Sequence, residues 1–175
     1  LADIADAEAL WLHVDVAYGA PAVVCEWGRE RLRGLNRADS LTMDPHKWLF
    51  QPFEIGGVLV RDPQHLRRAF RLEAEYLEDA VGADDEVNFS ARGIQLTRSF
   101  RALKLWMTLK VFGRKHVAAA VRRGFERAEQ AERLLRTRPG WTVVTPAQLG
   151  ILTFRCEPDG WSDARVDALT RRPAP

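Results

Sequence analysis

The chain has 175 residues, of which 46% are apolar and 29% charged, with 26 basic and 24 acidic side chains. That length fits about one domain, able to bury roughly 70% of its unfolded surface, and the composition excludes collagen-like, disordered and disulfide-stapled chains. The net charge of +2 singles out no partner, and no apolar run approaches the ~18 residues of a membrane span. Cys25 and Cys156 lie far apart and form no CxxC or zinc pattern, which predicts free thiols in a reducing, cytoplasmic compartment. The chain begins at Leu1 with no basic stretch followed by an apolar one, so no signal peptide is expected. It fades after Arg171 without a periodic element. Both ends read as cuts, and the chain is expected to be a piece of a longer protein.

Residues 3–10 predict the end of a helix, with Ile4, Ala7 and Leu10 near helical spacing. Residues 11–16 predict a short buried strand, closed by Gly19 and Pro21. A helix follows over 27–35, with Gly34 helping to end it. Strands are predicted over 40–43, ending at Asp44-Pro45, and over 55–60, ending at Asp62-Pro63. Strands separated by short helices predict an α/β layered unit. Residues 63–70 suggest a helix. Seven acids between 73 and 86 predict a polar, exposed, mobile loop. Residues 97–112 predict an amphipathic helix with Phe100, Leu103, Met107 and Val111 on one face. A second helix, over 114–137, turns Val117, Val121, Phe125, Ala128 and Leu135 inward. Strands over 141–144 and 149–154 begin a second layer or domain.

Two short stretches carry chemistry. In His13-Val14-Asp15-Val16-Ala17-Tyr18, strand alternation puts His13, Asp15 and Ala17 on one face. An acid in a buried strand is costly unless it meets a cation. Asp15 therefore caps a loop or pairs with a nearby cation. Alternatively, His13 and Asp15 are two metal ligands, although no third stands at a matching spacing. In Asp44-Pro45-His46-Lys47-Trp48, His46 and Lys47 project beyond a strand end, where ligands of open α/β sheets gather. A lysine beside the apolar Trp48-Leu49-Phe50 run can lose hydration, which favours the free amine needed for imine formation. The plain alternative is a solvated turn with one exposed lysine. Taken together, a crossover between parallel strands brings Asp15 and Lys47 to the same side of one sheet. Pyridoxal phosphate requires such a pair: a lysine to hold its aldehyde, and an acid to keep its ring nitrogen protonated.

With these residues the sequence resembles the group II pyridoxal-phosphate-dependent amino-acid decarboxylases, the family of aromatic-L-amino-acid and glutamate decarboxylases. The motifs are His-Val-Asp-x-Ala-Tyr from His13 and Pro-His-Lys-Trp from Pro45. The likeness continues through Ala69-Phe-Arg-Leu72, Glu75-Tyr-Leu77 and the run from Gln95 to Trp106, covering roughly residues 8–156. The resemblance implies the fold-type I α/β architecture of the aspartate-aminotransferase-like enzymes. Residues 1–95 would be the C-terminal part of the large cofactor domain, with a catalytic loop at about 71–92, and 96–175 a connecting helix and incomplete small domain. It implies that Lys47 is the Schiff-base lysine, Asp15 the partner of the ring nitrogen and Ala17 the residue under the ring. His46 would sit beside substrate carboxylate and cofactor. Tyr76 would be the loop tyrosine that returns a proton to Cα, and Leu96 and Thr97 the stretch reaching a neighbouring subunit's site. Asp44 stands where animal aromatic enzymes commonly carry Asn, which sets an anion against the phosphate it would contact. The ring-stacking histidine and most phosphate-binding residues of the family would lie upstream of residue 1.

The implied reaction is decarboxylation of an L-amino acid to an amine in a homodimer, with Trp48 favouring an aromatic substrate. Aldehyde synthesis or sulfinate decarboxylation on the same cofactor, and a truncated non-catalytic remnant, are the competing readings. Nucleic-acid binding through Arg114, Lys115, Arg122, Arg123, Arg127, Arg133, Arg136 and Arg138 is disfavoured. Glu129 and Arg133, and Glu132 and Arg136, have the i,i+4 spacing of a solvated helix face, and aromatic residues are not interleaved.

Overall fold

The structure, a computed structural model, describes residues 1–70 and 87–171. In chain order the elements are α1 (Ala2–Ala7), β1 (His13–Asp15), α2 (Glu26–Arg31), β2 (Ser40–Met43), β3 (Gly57–Val60), α3 (Gln64–Phe70), α4 (Ala102–Arg136), β4 (Trp141–Gln148), β5 (Ile151–Cys156) and α5 (Asp163–Thr170). The chain folds as two units. The first holds residues 1–21 and 32–111, the second 22–31 and 112–175.

The first unit is built on a three-stranded sheet of order β1-β2-β3. β1 and β2 run parallel, with His13 opposite Ser40, Val14 opposite Leu41 and Asp15 opposite Thr42. β3 closes the other edge of β2 in antiparallel register, Ser40 facing Val60 and Met43 facing Gly57. Val16, Ala38, Trp48, Leu49 and Ile55 are buried here. Trp48 stacks on Tyr18 with ring centroids 4.7 Å apart and planes 6° from parallel. Burying such a ring stabilises the loop after β2 by about 2–3 kcal/mol. Burial also pushes the Tyr18 hydroxyl above its ordinary pKa.

Two sequence expectations need correction. β1 is not buried on both faces: Val16 is buried, but His13 and Asp15 are exposed, because no described element covers their face. The apolar stripe expected over 97–112 is also uncovered. The helix starts only at Ala102, and Phe100 is 73% exposed and Val111 71%. Its spacing is helical, but Leu103 and Met107 are also only part-covered, at 40% and 50% exposure. Arg101, just before the helix, is held by the Glu54 carboxylate through Nε and Nη2 at 2.9 and 2.6 Å. Gly113, with φ 74° and ψ 158°, interrupts α4 in a conformation that side-chain-bearing residues rarely adopt.

The second unit packs α2, the part of α4 after Gly113, and the β4–β5 hairpin with α5. Val117, Val121, Phe125 and Ala128 are buried, as their helical spacing predicts, while Leu135, expected on the same face, is only half-buried. Trp27 meets Phe125 with ring centroids 4.1 Å apart. Gly28 lies against the Ala22 carbonyl, so an added Cβ would collide with backbone. Gly28→Ala is expected to cost about 1–3 kcal/mol through overpacking, despite alanine's better helix propensity. A urea titration showing equal or greater stability would overturn this. β4 and β5 pair antiparallel, Trp141 opposite Cys156 and Val143 opposite Phe154. Both cysteines are free thiols. Arg136 meets Glu132 and Arg122 meets Glu126 at i,i+4 spacing, as expected of a solvated helix face.

Candidate active site

The C-terminal ends of β1 and β2 place the two sequence motifs side by side. Asp15 is the last residue of β1. Its Oδ1 accepts the Ala17 N–H at 2.9 Å, an Asx turn that the short side chain makes with the backbone two residues on. The same oxygen accepts the Thr42 hydroxyl, also at 2.9 Å. Among the described residues no donor reaches Oδ2. The Ala17 N–H, then the Thr42 hydroxyl, hold this carboxyl below the ordinary aspartate value of 3.8, with smaller pulls from Lys47 and His13. Asp15 is therefore an anion throughout the neutral range.

Thr42 was not singled out from the sequence. Threonine is common in strands for its β-branch alone, and only the register opposite Asp15 gives its hydroxyl a task. One pair further down the same face, the Ser40 hydroxyl lies 2.7 Å from His13 Nδ1 and accepts Trp11 Nε1–H at 2.9 Å. Ser40 is buried and satisfied by these partners. His13 is thus engaged through a side chain of the neighbouring strand. Among the described residues no cluster of three or more His, Cys, Asp or Glu side chains is arranged to hold a metal.

The loop after β2 turns at once. The Asp44 N–H donates to the Ala17 carbonyl at 3.0 Å, and the Lys47 N–H to the Asp44 carbonyl at 2.9 Å. The first bond ties the two motif loops together, and the second closes the turn that carries Lys47. Lys47 Nζ sits 2.8 Å from Asp44 Oδ2 with its side chain 43% exposed. The expected loss of hydration at Lys47 is not seen: the neighbouring apolar residues Trp48 and Leu49 are buried while the lysine itself faces solvent and an anion. Gly56 makes room for Asp44, since a Cβ there would come within 3.1 Å of Oδ1.

His46 meets the segment before β3. Its Nδ1 lies 2.6 Å from the Ile55 carbonyl and 3.2 Å from the Ile55 N–H, and its ring meets Phe53 edge-on at 5.2 Å. It lines a cleft of about 940 Å³ with Ile55, Leu96, Thr97, Arg98 and Arg101. The structure therefore brings Asp15, Ala17, Asp44 and Lys47 into one cluster, and His46, Leu96 and Thr97 into another around this cleft. Tyr76 lies outside the described residues, as does most of the expected catalytic loop at 71–92.

Asp15, Ala17 and Lys47 form a donor set that fits pyridoxal phosphate. They offer an anion with one oxygen free, a small residue beside it and a primary amine within reach of solvent. Comparison with known proteins identifies the family. Residues 1–157 match the family described as the pyridoxal-dependent decarboxylase conserved domain. The chain is 51% identical over 159 residues to the aromatic-L-amino-acid decarboxylase of Bacillus atrophaeus, covering 90% of this chain and 33% of that protein. It superposes on the crystal structure of Oryza sativa TDC with PLP and tryptamine with a TM-score of 0.82 at 32% identity, over 89% of this chain and 32% of that one. It also superposes on Rhodiola rosea 4-hydroxyphenylacetaldehyde synthase with a TM-score of 0.82 at 27% identity, over 98% of this chain and 34% of that one. The chain thus spans about a third of the length of each of these relatives.

Proposed function

The chain belongs to the pyridoxal-dependent decarboxylase family, and we propose that it carries the lysine-and-aspartate half of an active site that decarboxylates an aromatic L-amino acid to its amine. Its α/β fold is that of the fold-type I enzymes of this family. The observation that carries the functional reading is the cluster at the ends of parallel neighbours β1 and β2: an ionised Asp15 with a free oxygen, and Lys47 on the adjoining loop.

When bound, pyridoxal phosphate supplies an aldehyde for a lysine amine and a protonated ring that takes up the electron pair left at the substrate's Cα. In this chain Lys47 Nζ would be the amine for that aldehyde, once released from its ion pair with Asp44 Oδ2 at 2.8 Å. Asp15 Oδ2 would hold the proton of the ring nitrogen by charge pairing, and Ala17 would be the small residue under the ring. His46, whose ring is fixed by Ile55, would be the residue beside the substrate carboxylate. Tyr76 is the residue proposed to return a proton to Cα. The division at 95/96 between the large domain and a small C-terminal domain, and a homodimer completing each site, belong to the same reading. The aromatic substrate class rests on the Bacillus atrophaeus relative.

The likeness to a 4-hydroxyphenylacetaldehyde synthase supports one second reading, aldehyde formation on the same cofactor. Assay of amine, aldehyde and peroxide after incubation with an aromatic amino acid separates the two.

The direct test is trapping. The intact protein is incubated with pyridoxal phosphate, reduced with borohydride, digested and mapped by mass spectrometry. Label is expected on Lys47 above all other lysines. Label scattered over several lysines, or absent from Lys47, would sink the proposal.

A further inference from the structure

We infer that Thr42 is a positioning residue for Asp15, its hydroxyl sharing Oδ1 with the Ala17 N–H and so leaving Oδ2 as the one carboxylate oxygen free for a cationic ring N–H. The inference rests on the cofactor reading above and adds to it the residue that aims the acid.

The register of the parallel pair sets Thr42 directly opposite Asp15, so both side chains leave the sheet on one face. The Val16 N–H donates to the Thr42 carbonyl at 3.3 Å, which fixes the threonine backbone beside the aspartate. A β-branched side chain in a strand has little χ1 freedom, so the hydroxyl does not wander. It donates to Oδ1 at 2.9 Å. The Ala17 N–H reaches the same oxygen at 2.9 Å from the other strand's own loop. Two donors on one oxygen fix the rotation of the carboxylate about its last torsion. A single donor would leave that torsion broad, as terminal carboxylate torsions ordinarily are. The two oxygens are thereby made inequivalent before any ligand arrives: one is structural, the other open. Ser40, two residues earlier on β2, makes the corresponding cross-strand bond to His13. That bond serves an exposed imidazole, whereas Thr42 serves the one anion on this face whose charge the cofactor needs.

The test compares Thr42→Val, which keeps the shape and removes the donor, with Thr42→Ser, which keeps the donor and loses the methyl. Two readouts are taken on the intact protein. The first, without cofactor, is the titration of the Asp15 carboxyl by ¹³C NMR, assigned by its loss in Asp15→Asn. The second is pyridoxal phosphate affinity from its absorbance and fluorescence. In Thr42→Val the Asp15 titration is expected to move up and cofactor affinity to fall about tenfold, the scale of one hydrogen bond to a charged group. Thr42→Ser is expected to restore both. A wild-type titration and affinity in Thr42→Val, or a Thr42→Ser variant as weak as Thr42→Val, overturns the inference. If the wild-type protein takes up no cofactor on Lys47, the cofactor reading fails and the positioning role fails with it. The cofactor-free titration still reports whether Thr42 holds Asp15, so the two failures are told apart.

Discussion

Lys47→Ala is expected to abolish decarboxylation by the intact protein, a loss on the order of 10³-fold or more in kcat, the scale on which removal of a covalent catalyst registers. The protein should still fold. Lys47 is 43% exposed and its one ion pair among the described residues, with Asp44, is part-exposed; such pairs contribute less than about 1 kcal/mol. The backbone bonds that shape the loop, Asp44 N–H to Ala17 and Lys47 N–H to Asp44, need no lysine side chain. Release of ¹⁴CO₂ from a carboxyl-labelled aromatic amino acid measures the first effect, and thermal melting the second. Activity lost with the melting temperature kept assigns Lys47 to chemistry. Activity within tenfold of wild type would remove it from the mechanism. A large fall in melting temperature would mean that the loop depends on the ion pair more than its exposure implies.

Much of the fold and part of the site could be read from the sequence, for reasons that differ by residue. β2 spans the 40–43 expected of it, and it stops where Asp44-Pro45 ends the strand. The break between the helices expected over 97–112 and 114–137 falls at Gly113, which carries a positive φ. The inward face of 114–136 was legible because one covered stripe accounts for its spacing. The stripe from Phe100 to Val111 has the same kind of spacing, yet it lies exposed. Periodicity states which residues share a face, not what covers that face. The placing of Asp15 and of the loop that carries Lys47 at the same end of neighbouring strands followed from topology, since parallel neighbours end on the same side. The exposure of Lys47 did not, because an apolar stretch in sequence does not say which way each side chain turns. Trp48 and Leu49 go inward while Lys47 goes out. Thr42 and Ser40 stayed hidden for a further reason. Their roles depend on cross-strand register, and a shift of one residue would have sent both hydroxyls to the opposite face.

Asp15→Asn should cost the intact protein on the order of 10²-fold or more in kcat, by analogy with loss of one preorganised electrostatic partner, and weaken pyridoxal phosphate binding. The reason lies in the two donors on Oδ1. In the variant the amide oxygen must take the Oδ1 place, because only an acceptor can meet both the Ala17 N–H and the Thr42 hydroxyl. The amide NH₂ is then forced into the place of Oδ2. A donor now faces the ring nitrogen, which can pair with it only as an acceptor, that is, unprotonated. The substitution removes a charge and also inverts the polarity of the contact, so the ring loses the proton that makes it an electron sink. The dependence on pH follows from the direction of the Asp15 shift. Its carboxyl titrates below the ordinary value of 3.8, so its charge is fully present above that value and is lost only as pH falls through the lowered one. The ratio of wild-type to variant activity is therefore expected to stay level between about pH 5 and pH 8. Steady-state kinetics across that range and the absorbance of the bound cofactor are the measurements. A variant within threefold of wild type, or a ratio that collapses near neutral pH, would mean that a group other than Asp15 holds the ring proton.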